Sequence, residues 1–365
     1  MKYWLIMVRI NNFFIGIVVI LAACSGPWMD KNKIPEEITP NTIVLYDWEG
    51  DIPFSVIHSF TEETGINVKY ITYGSDIEAE MNMYYRNGDF DVVVIDNDAI
   101  PLLKEQNLLA PLNYENVPNF RYISINFRDL VYDPDNIYSI PFNWGTTGLI
   151  YLDNDKFVPP SAWADLWVYP ETVKIGLRED LPYDNLALTK KVLGESINEC
   201  APVVLDRVKE RILELRSKIV FVDADSEMAI DELEDGKIDI LVGWSDDVFE
   251  ARDRNLEAQY VLPDEGTMLW GDSFVIPLRS RHKAEAESFI NYLLVPENAA
   301  LILEYNNYAS ANDSVSSFLS GELKNDSIIF PTDDAMYLSE IYLPVSDECN
   351  FQQINLWKDI VSEIE

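Results

Sequence analysis

Short apolar runs alternate with longer amphipathic stretches in the first third of the chain. The runs IVLYDW, INVKYITY and DFDVVVI are rich in β-branched and aromatic residues, which predicts three strands. Between them, the segment from Pro53 to Gly65 and the segment that begins with SDIE at 75–78 carry helix start and stop signals. DFDVVVI is almost continuously apolar, as expected for a strand covered on both faces. This β-α-β-α-β order predicts a parallel, doubly wound sheet.

The same alternation restarts near residue 146. GLIYLD, VKIGL, IVFVDA and IDILVGW predict strands, and LALTKKVLG, VVLDRVKERILELRSK and residues 226–234 predict helices. In the longest of these helices, Val204, Val208 and Ile212 fall on one face. SFVIP predicts a further strand, and the tail is expected to be largely helical. The two α/β units predict two lobes with a ligand cleft between them and a hinge motion.

Tryptophan and aspartate recur together where predicted strands end or begin. Asp47-Trp48 follows IVLY, the segment 244–247 (WSDD) follows IDILVG, and the segment 270–272 (WGD) precedes SFVIP. An indole face attracts a cation through its quadrupole, and a carboxylate adds a full negative charge. Ligands of open α/β sheets bind outside the carboxyl ends of the strands. The pattern therefore predicts a pocket for an organic cation.

Ordinary structural roles also account for some of these residues. A large aromatic residue at a strand end is more often part of the core than of a ligand site. Asp96, just past the third strand, is equally consistent with ligand contact and with capping a helix near Ile100. Both interpretations stay open at this point.

The formal net charge of the 365-residue chain is −36. Such a charge argues against a nucleic-acid partner, because phosphates would be repelled, and favours cationic small molecules. No dinucleotide-binding, P-loop or nucleophile-elbow motif is present, so no cofactor is predicted. The two histidines, His58 and His282, are far apart and no CxxC occurs, so neither a metal site nor a catalytic nucleophile is predicted.

The N-terminal segment has the features of an export signal. Lys2 and Arg9 precede FFIGIVVILAA, which is short for a membrane span and closes on LAAC. This resembles a bacterial lipoprotein signal: residues 1–23 would be removed, Cys24 would be lipidated, and 24–41 would form a tether. A plain secretory signal or a short anchor is the alternative. The predicted location is the periplasm or cell surface, attached to a membrane by lipid.

The two other cysteines, Cys200 and Cys349, are separated by 149 residues in the sequence. In an oxidising compartment they could pair, but this spacing says nothing about proximity, so a disulfide and two thiols both stay open.

Nine motifs occur in one order over residues 41–312: LYDWEGDIP, FTEETGINVKY, GDFDVVV, YSIPFNWGTTGLIY, SAWADLW, ILVGWSDDVF, LPDEGTMLWGDSFVIP, FINYLLVPENA and NYASAN. Together they resemble the polyamine-binding periplasmic proteins of ABC importers. The resemblance implies a type II periplasmic-binding-protein fold with lobe 1 at 41–145 plus 270–314 and lobe 2 at 146–269 plus 315–365. It also implies a monomer that captures putrescine or spermidine and delivers it to an ABC permease, without catalysis.

The resemblance also implies a set of ligand-binding residues. The aromatic walls would be Trp48, Trp244, Trp270 and Tyr308. The acids that pair with amines would be Asp272, Asp247, Asp180, Asp184, Asp51 and Asp98. Asp247 matches an acid of the putrescine-preferring members, and the alignment of Asp180 and Asp184 is fixed only to within one residue. Asp51, Asp96 and Asp98 place carboxylates at or near positions that are neutral in relatives, which leaves the exact polyamine open.

Other classes of function remain to be weighed. Paired acids in a cleft could serve glycoside hydrolysis. A sensory lipoprotein could keep the binding fold and signal to a membrane partner. Another cation, such as a quaternary amine or iron, is a further variant, although iron would require a tyrosine pair that the sequence does not place.

Overall fold

Strand-forming runs and amphipathic helices alternate through most of the structure. This computed structural model describes residues 41–153, 156–223, 225–321 and 323–365. The strands are β1 (Thr42–Trp48), β2 (Asn67–Tyr73), β3 (Val92–Asp96), β4 (Ser139–Leu152), β5 (Ile175–Arg178), β6 (Ile219–Val222), β7 (Ile240–Trp244), β8 (Ala258–Val261), β9 (Met268–Val275), β10 (Ala309–Ser310) and β11 (Glu340–Ile341).

The helices lie on the predicted amphipathic segments, although the helix that begins at Pro202 ends at Leu213, before the end of VVLDRVKERILELRSK. They are α1 (Phe54–Thr64), α2 (Asp76–Tyr85), α3 (Ile100–Glu105), α4 (Asp165–Val168), α5 (Pro182–Val192), α6 (Pro202–Leu213), α7 (Ser226–Glu234), α8 (Asp247–Asp253), α9 (Lys283–Leu293), α10 (Pro296–Asn306), α11 (Asp333–Met336) and α12 (Asp347–Ile364). Short 3-10 segments complete the connections.

Over the described residues the strands form one sheet with the order β2-β1-β3-β9-β4-β7-β5-β6. β1 is parallel to β2 and β3, and β5 is parallel to β6 and β7, which confirms the two predicted parallel units. We call β1–β3 the first half of the sheet and β5–β7 the second half. β4 and β9 lie between the two halves and are antiparallel to each other and to their neighbours β7 and β3.

These two central strands differ from the sequence prediction. GLIYLD is only the second part of the 14-residue β4, which begins at Ser139. Trp270 and Asp272 lie within β9 rather than before a strand. The prediction failed because three residues near the start of β9, among them Trp270, are partly exposed. A partly exposed stretch before an apolar run resembles the boundary of a strand.

Local signals set the ends of the helices as predicted in most cases. Gly65 adopts φ 73° and ends α1. The Ser75 hydroxyl accepts a hydrogen bond from the Glu78 N–H at the start of α2. Asp96 does not cap α3: the N-cap position is Ala99, and no side chain caps that helix. The capping alternative for Asp96 is therefore wrong.

The core consists of apolar clusters on each half of the sheet. Phe60, Phe274 and Phe289 belong to one cluster of the first half, and Trp163 belongs to the second half. The predicted apolar face of α6 is buried against the second half, with Val208 fully covered. The lobe boundaries at residues 145/146 and 269/270 remain predictions.

Cys200 and Cys349 form a disulfide with their Cα atoms 5.7 Å apart. The bond joins the segment before α6 to the first turn of α12, so it fixes the C-terminal helix on the second half. None of the helices in the described ranges combines the length and apolar character needed to cross a bilayer. The predicted leader 1–23, the lipidated Cys24 and most of the tether lie outside the described residues.

Candidate functional site

The carboxyl end of β1 carries two buried acids. Asp47 is 0% exposed; it accepts hydrogen bonds from the Tyr70 hydroxyl (3.0 Å) and from the Trp48 N–H (2.8 Å). Asp51 is 3% exposed, and its carboxylate accepts from Asn143 Nδ2 at 3.3 Å. Burial raises the pKa of Asp47 to about 8, and burial together with Asp47 raises the pKa of Asp51. Both acids therefore hold protons more tightly than ordinary carboxyls do.

A second acidic pair forms where β3 meets β9. Asp96 and Asp272 lie directly opposite each other in the antiparallel ladder, so their carboxyl groups project from the same face of the sheet. Burial raises the pKa of Asp272 to about 6, and burial with Asp76 and Asp272 raises that of Asp96. Two carboxylates this close cannot both stay ionised at low cost, so ionisation of one makes ionisation of the other harder.

Further acids come from α2 and from the loop after β3. Burial, then Asp98 and Asp76, raise the pKa of Glu80 to about 7. Asp98 is open to solvent, but nearby protein atoms partly desolvate its carboxylate, and its pKa rises to about 6 with Asp76 as the next cause. Tyr183 of α5 also has a raised pKa, from burial and then from Asp98 and Glu80. A residue of the second half is thus within electrostatic range of the first half's acids.

Asp184, in the first turn of α5, organises the aromatic residues of the second half. Its carboxylate accepts hydrogen bonds from Trp244 Nε1 (3.1 Å), from Thr147 Oγ1 (3.1 Å) and from the Tyr342 hydroxyl. These bonds fix the indole of Trp244 at the end of β7. Asp184 therefore lies in the site as expected, but protein donors already occupy its oxygens.

Asp247 is fully buried and paired with a protein cation. Arg178, the last residue of β5, donates from Nη1 to Oδ2 (2.9 Å) and from Nη2 to Oδ1 (2.7 Å). The Trp244 N–H also donates to Oδ2, and the Arg178 guanidinium lies 4.2 Å from the centroid of the Trp244 ring. Every oxygen of Asp247 has a protein donor. The contact between Asp247 and an amine stays a prediction.

Tyr308 and Asp246 connect the two halves. The pKa of Tyr308 is raised well above its usual value by Asp246 first, then by burial, and then by Asp51 and Asp272. Burial, followed by the charge of Asp247, raises the pKa of Asp246 to about 7. Carboxylates from both halves therefore act on the ionisation of one phenol.

Trp270 lies at the centre of β9 and packs over Gly145 of β4, its partner across the ladder. A Cβ at position 145 would overlap the indole ring, which explains the glycine. The Trp270 ring meets Tyr308 edge-on at 5.3 Å between centroids. Its Nε1 is buried and has no hydrogen-bond partner among the described residues. At the other side of the site, Trp48 packs against Tyr73 at 4.5 Å.

Most of the predicted residues are therefore close together. The residues that these contacts and charge effects bring into one region are Trp48, Asp51, Asp98, Asp184, Trp244, Trp270, Asp272 and Tyr308. Asp180 is exposed in the turn between β5 and α5, and no described hydrogen bond or ion pair joins it to that region. Its role as a ligand-binding acid stays a prediction.

Sequence reasoning did not assign several residues of the site: Asp47, Asp76, Glu80, Arg178, Tyr183, Asp246 and Tyr342. The adjacency of Asp47 to Trp48 and of Asp246 to Asp247 was a usable signal. For Arg178 and Tyr342 no local signal existed, because their roles depend on the packing of β5 and of the tail.

The chemistry of this region is that of a receptor for organic cations. No described lysine or arginine forms an ion pair with Asp47, Asp51, Asp96 or Asp272, whereas Arg178 is satisfied by Asp247. In the described ranges, no group of three or more His, Cys, Asp or Glu side chains is arranged to hold a metal ion. The acids lie beside indole and phenol faces that would contact an apolar chain.

Comparison with known proteins agrees with this geometry. The family model of the bacterial extracellular solute-binding proteins matches residues 55–332. The spermidine/putrescine-binding periplasmic protein of Escherichia coli is 29% identical over 298 residues, which cover 80% of this chain and 83% of that protein. The putrescine-binding periplasmic protein PotF of Escherichia coli is 30% identical over 313 residues, 80% of this chain and 84% of that protein.

A solved structure supports the same relationship. The spermidine/putrescine ABC transporter substrate-binding protein PotD from Streptococcus pneumoniae superimposes with a TM-score of 0.81 and 28% identity, covering 89% of this chain and 100% of that chain. The predicted periplasmic-binding-protein fold is thereby confirmed. By the extent of the family match and of these similarities, the chain belongs to the bacterial extracellular solute-binding proteins.

Proposed function

We propose that the protein captures a polyamine, putrescine or spermidine, between the two halves of the sheet and delivers it to an ABC permease. The observation that carries the proposal is the group of buried acids without a protein cation, including Asp47, Asp51 and Asp272, beside the indoles of Trp48 and Trp270. The names of the similar proteins, which bind spermidine or putrescine, point to the same ligand class.

The energetics favour a flexible, multiply charged ligand. An ammonium group is costly to desolvate unless it meets an anion, and a buried carboxylate is costly unless it meets a cation. A polyamine satisfies both requirements at once, because its ammonium groups replace the protons held by the acids and its methylenes lie on the aromatic faces. Tyr308, near acids of both halves, is placed to contact the same ligand from the middle.

Capture would couple to closure of the two predicted lobes. Acids of the first half and Asp246 of the second can ionise close together only when a cation lies between them, so ligand favours the state in which they are close. The closed protein would then dock on the permease. A lipid on Cys24 and a tether to residue 41 would hold this monomeric protein at the membrane in the periplasm or at the cell surface.

Two alternative functions predict different experimental outcomes. A sensory lipoprotein would bind the same polyamine and pass the signal to a membrane partner, which the neighbouring genes would distinguish. A glycosidase would use the carboxyls with raised pKa as acid and base. A turnover assay on polysaccharides that stays silent while titration shows polyamine binding would exclude the glycosidase.

Isothermal titration with putrescine, cadaverine, spermidine and spermine tests the proposal. We expect micromolar or tighter affinity for putrescine or spermidine, and a loss of about tenfold in the Trp244→Ala variant because an aromatic face is removed. Trp167→Phe is the matched control, since that indole donates to the Arg211 carbonyl away from the acids. If neither polyamine produces heat or changes the melting temperature, the proposal is wrong.

A further inference from the structure

Asp246 and Asp247 are consecutive in sequence but differ in their surroundings. Asp247 has both oxygens occupied by Arg178, with distances of 2.9 and 2.7 Å. Asp246 holds the N-cap position of α8, yet its side chain makes no capping hydrogen bond. Its Oδ1 is buried and has no hydrogen-bond partner among the described residues. Of the two acids, only Asp246 has a carboxylate oxygen without a protein partner among the described residues.

The neighbours of Asp246 indicate which part of the site its unpartnered oxygen can serve. Asp246 has the largest effect on the ionisation of the Tyr308 hydroxyl, and Asp51 and Asp272 of the opposite side affect the same hydroxyl.

Ser245, the residue before Asp246, donates its N–H to the Thr146 carbonyl (2.9 Å). The adjacent Gly145 is the ladder partner of Trp270, so Asp246 follows β7 at the level of the sheet where Trp270 lies. A buried polar atom without a partner is costly in a folded protein, and a bound donor would remove that cost.

We propose that Asp246, and not Asp247, is the carboxylate with which the second half of the sheet holds an ammonium group of the ligand. Arg178 is the positioning residue: it neutralises Asp247 and covers one face of Trp244, which leaves Asp246 as the available carboxylate. The inference rests on the proposed polyamine-binding function and assigns the acid and its positioning partner within that site.

The Arg178–Asp247 pair then acts as one neutral unit with a fixed shape. Removing Arg178 alone would leave Asp247 as an additional buried anion beside Trp244. That anion would favour spermidine, which has three ammonium groups, over putrescine, which has two. Removing the charge of Asp247 alone would leave a buried guanidinium that repels every polyamine. Removing both charges would restore a neutral wall.

The first test compares two acids of the same helix segment by isothermal titration with putrescine and spermidine. We expect Asp246→Asn to lose at least about tenfold in affinity, because a buried ammonium loses its carboxylate. Asp253→Asn, an exposed acid at the other end of α8, should stay within about twofold of the wild type. Equal affinities for Asp246→Asn and wild type would overturn the proposal.

The second test separates a ligand contact of Asp247 from its pairing with Arg178. We expect Arg178→Met to raise the affinity for spermidine relative to putrescine by about tenfold, and Asp247→Asn to weaken both. The double variant Arg178→Met/Asp247→Asn should return to within about fivefold of wild type for putrescine. Loss of binding in a folded double variant, shown by circular dichroism, would instead identify Asp247 as the contact.

Failure of this inference is distinguishable from failure of the proposed function. If the wild-type protein binds none of the polyamines, the proposed function is wrong. If the wild type binds but Asp246→Asn binds equally well, only the assignment of Asp246 is wrong. If the Arg178 variants do not fold, the Asp246→Asn and Asp253→Asn comparison still decides the assignment.

Discussion

The first half of the sheet, taken together with the adjoining β9, holds the buried acids Asp47, Asp51 and Asp272 near one another, and no described lysine or arginine pairs with them. In the second half Asp184 accepts from three protein donors, and Asp247 is paired with Arg178. The same residue type therefore serves two purposes. The first half keeps buried carboxyl groups without a protein cation, at a cost to its own stability, while the second half uses its acids to hold an aromatic wall in place.

This difference indicates which changes should alter ligand affinity and which should alter the unliganded protein. An acid without a protein partner is stabilised mainly by a bound cation, so its removal weakens binding and relieves repulsion. An acid with a protein partner contributes to the fold, so its removal disturbs the wall rather than a ligand contact. This distinction between paired and unpaired acids would be wrong if an unpaired acid of the first half could be neutralised without loss of affinity.

Asp272→Asn should have the largest effect on affinity. Its carboxylate lies opposite Asp96 and close to Asp51, at the centre of the unpaired group. We expect polyamine affinity to fall by about 100-fold or more, because a desolvated ammonium loses its anion. The melting temperature of the unliganded variant should not fall, since repulsion between buried acids is removed. Isothermal titration and thermal denaturation measure both quantities.

Glu105→Gln provides the control for Asp272→Asn, because Glu105 is an exposed acid at the end of α3. Its affinity should match that of the wild type. An Asp272→Asn variant that binds polyamine normally would show that the first half does not supply the charge.

Gly145→Ala should have the next largest effect. The added methyl group would overlap the Trp270 indole, which must then move away from Tyr308. We expect about a tenfold loss in affinity with a smaller change in the unfolding free energy, since the residue belongs to a central strand between the two halves. Gly74→Ala, where a Cβ meets nothing within 4 Å, is the matched control and should bind normally.

Equal affinity losses in the Gly145→Ala and Gly74→Ala variants would show that the position of Trp270 does not matter. A loss of affinity confined to Gly145→Ala would show that the position of Trp270 helps to determine affinity, although its strand belongs to neither parallel unit.

The sequence predicted the regular part of the fold because periodicity reports burial directly. The strands that pack on both faces, such as β3, and the α6 face with Val208 at its centre were predicted correctly. The path of β4 and β9 was not, because a long strand that crosses between two cores has no continuous apolar pattern. The lone capping signal at Asp96 was misleading, since its place opposite Asp272 in the ladder determined the surroundings of its side chain.

The site was predictable only in part for a related reason. Tryptophan beside aspartate marks a place on the chain, and Trp48, Trp244 and Trp270 do lie in one region. Whether an acid is paired depends on residues that are distant in sequence, as Arg178 is from Asp247. Sequence alone therefore identified the acidic character of the site but not which acids are available to a ligand.

The pH dependence of binding sharpens the comparison between paired and unpaired acids. The pKa values of Asp47, Asp246 and Asp272 are raised to about 8, 7 and 6, mainly by burial, whereas alkylammonium groups stay charged throughout this range. Protons must leave these carboxyls when a polyamine binds. Affinity should therefore fall by about tenfold or more between pH 8 and pH 6.

Titrations at pH 7 in two buffers of different ionisation enthalpy should show net proton release on binding. An observed heat that is independent of the buffer would mean that the acids are already ionised. In that case the first half would not store protons in the unliganded protein, and its difference from the second half would be one of hydrogen bonding alone.

The smallest expected effect is on the stability of the unliganded protein. Asp47 has a pKa of about 8 in the folded chain and 3.8 as its ordinary value, so the folded state binds more protons than the unfolded state between these values. Stability from such groups is complete below the ordinary pKa and is lost as pH rises through the folded one. The melting temperature should therefore fall by about 3 °C or more from pH 5.5 to pH 7.5.

Saturating polyamine should reduce this fall, because ammonium groups replace the protons, and Asp47→Asn should reduce it without ligand. The range stays below pH 8 because burial lowers the pKa of Lys190 to about 8, which makes stability rise with pH above that value. A melting temperature that rises between pH 5.5 and pH 7.5 would mean that the first-half acids are satisfied in the unliganded protein. The two halves would then treat their carboxylates alike, and the acids available to the ligand would have to lie elsewhere.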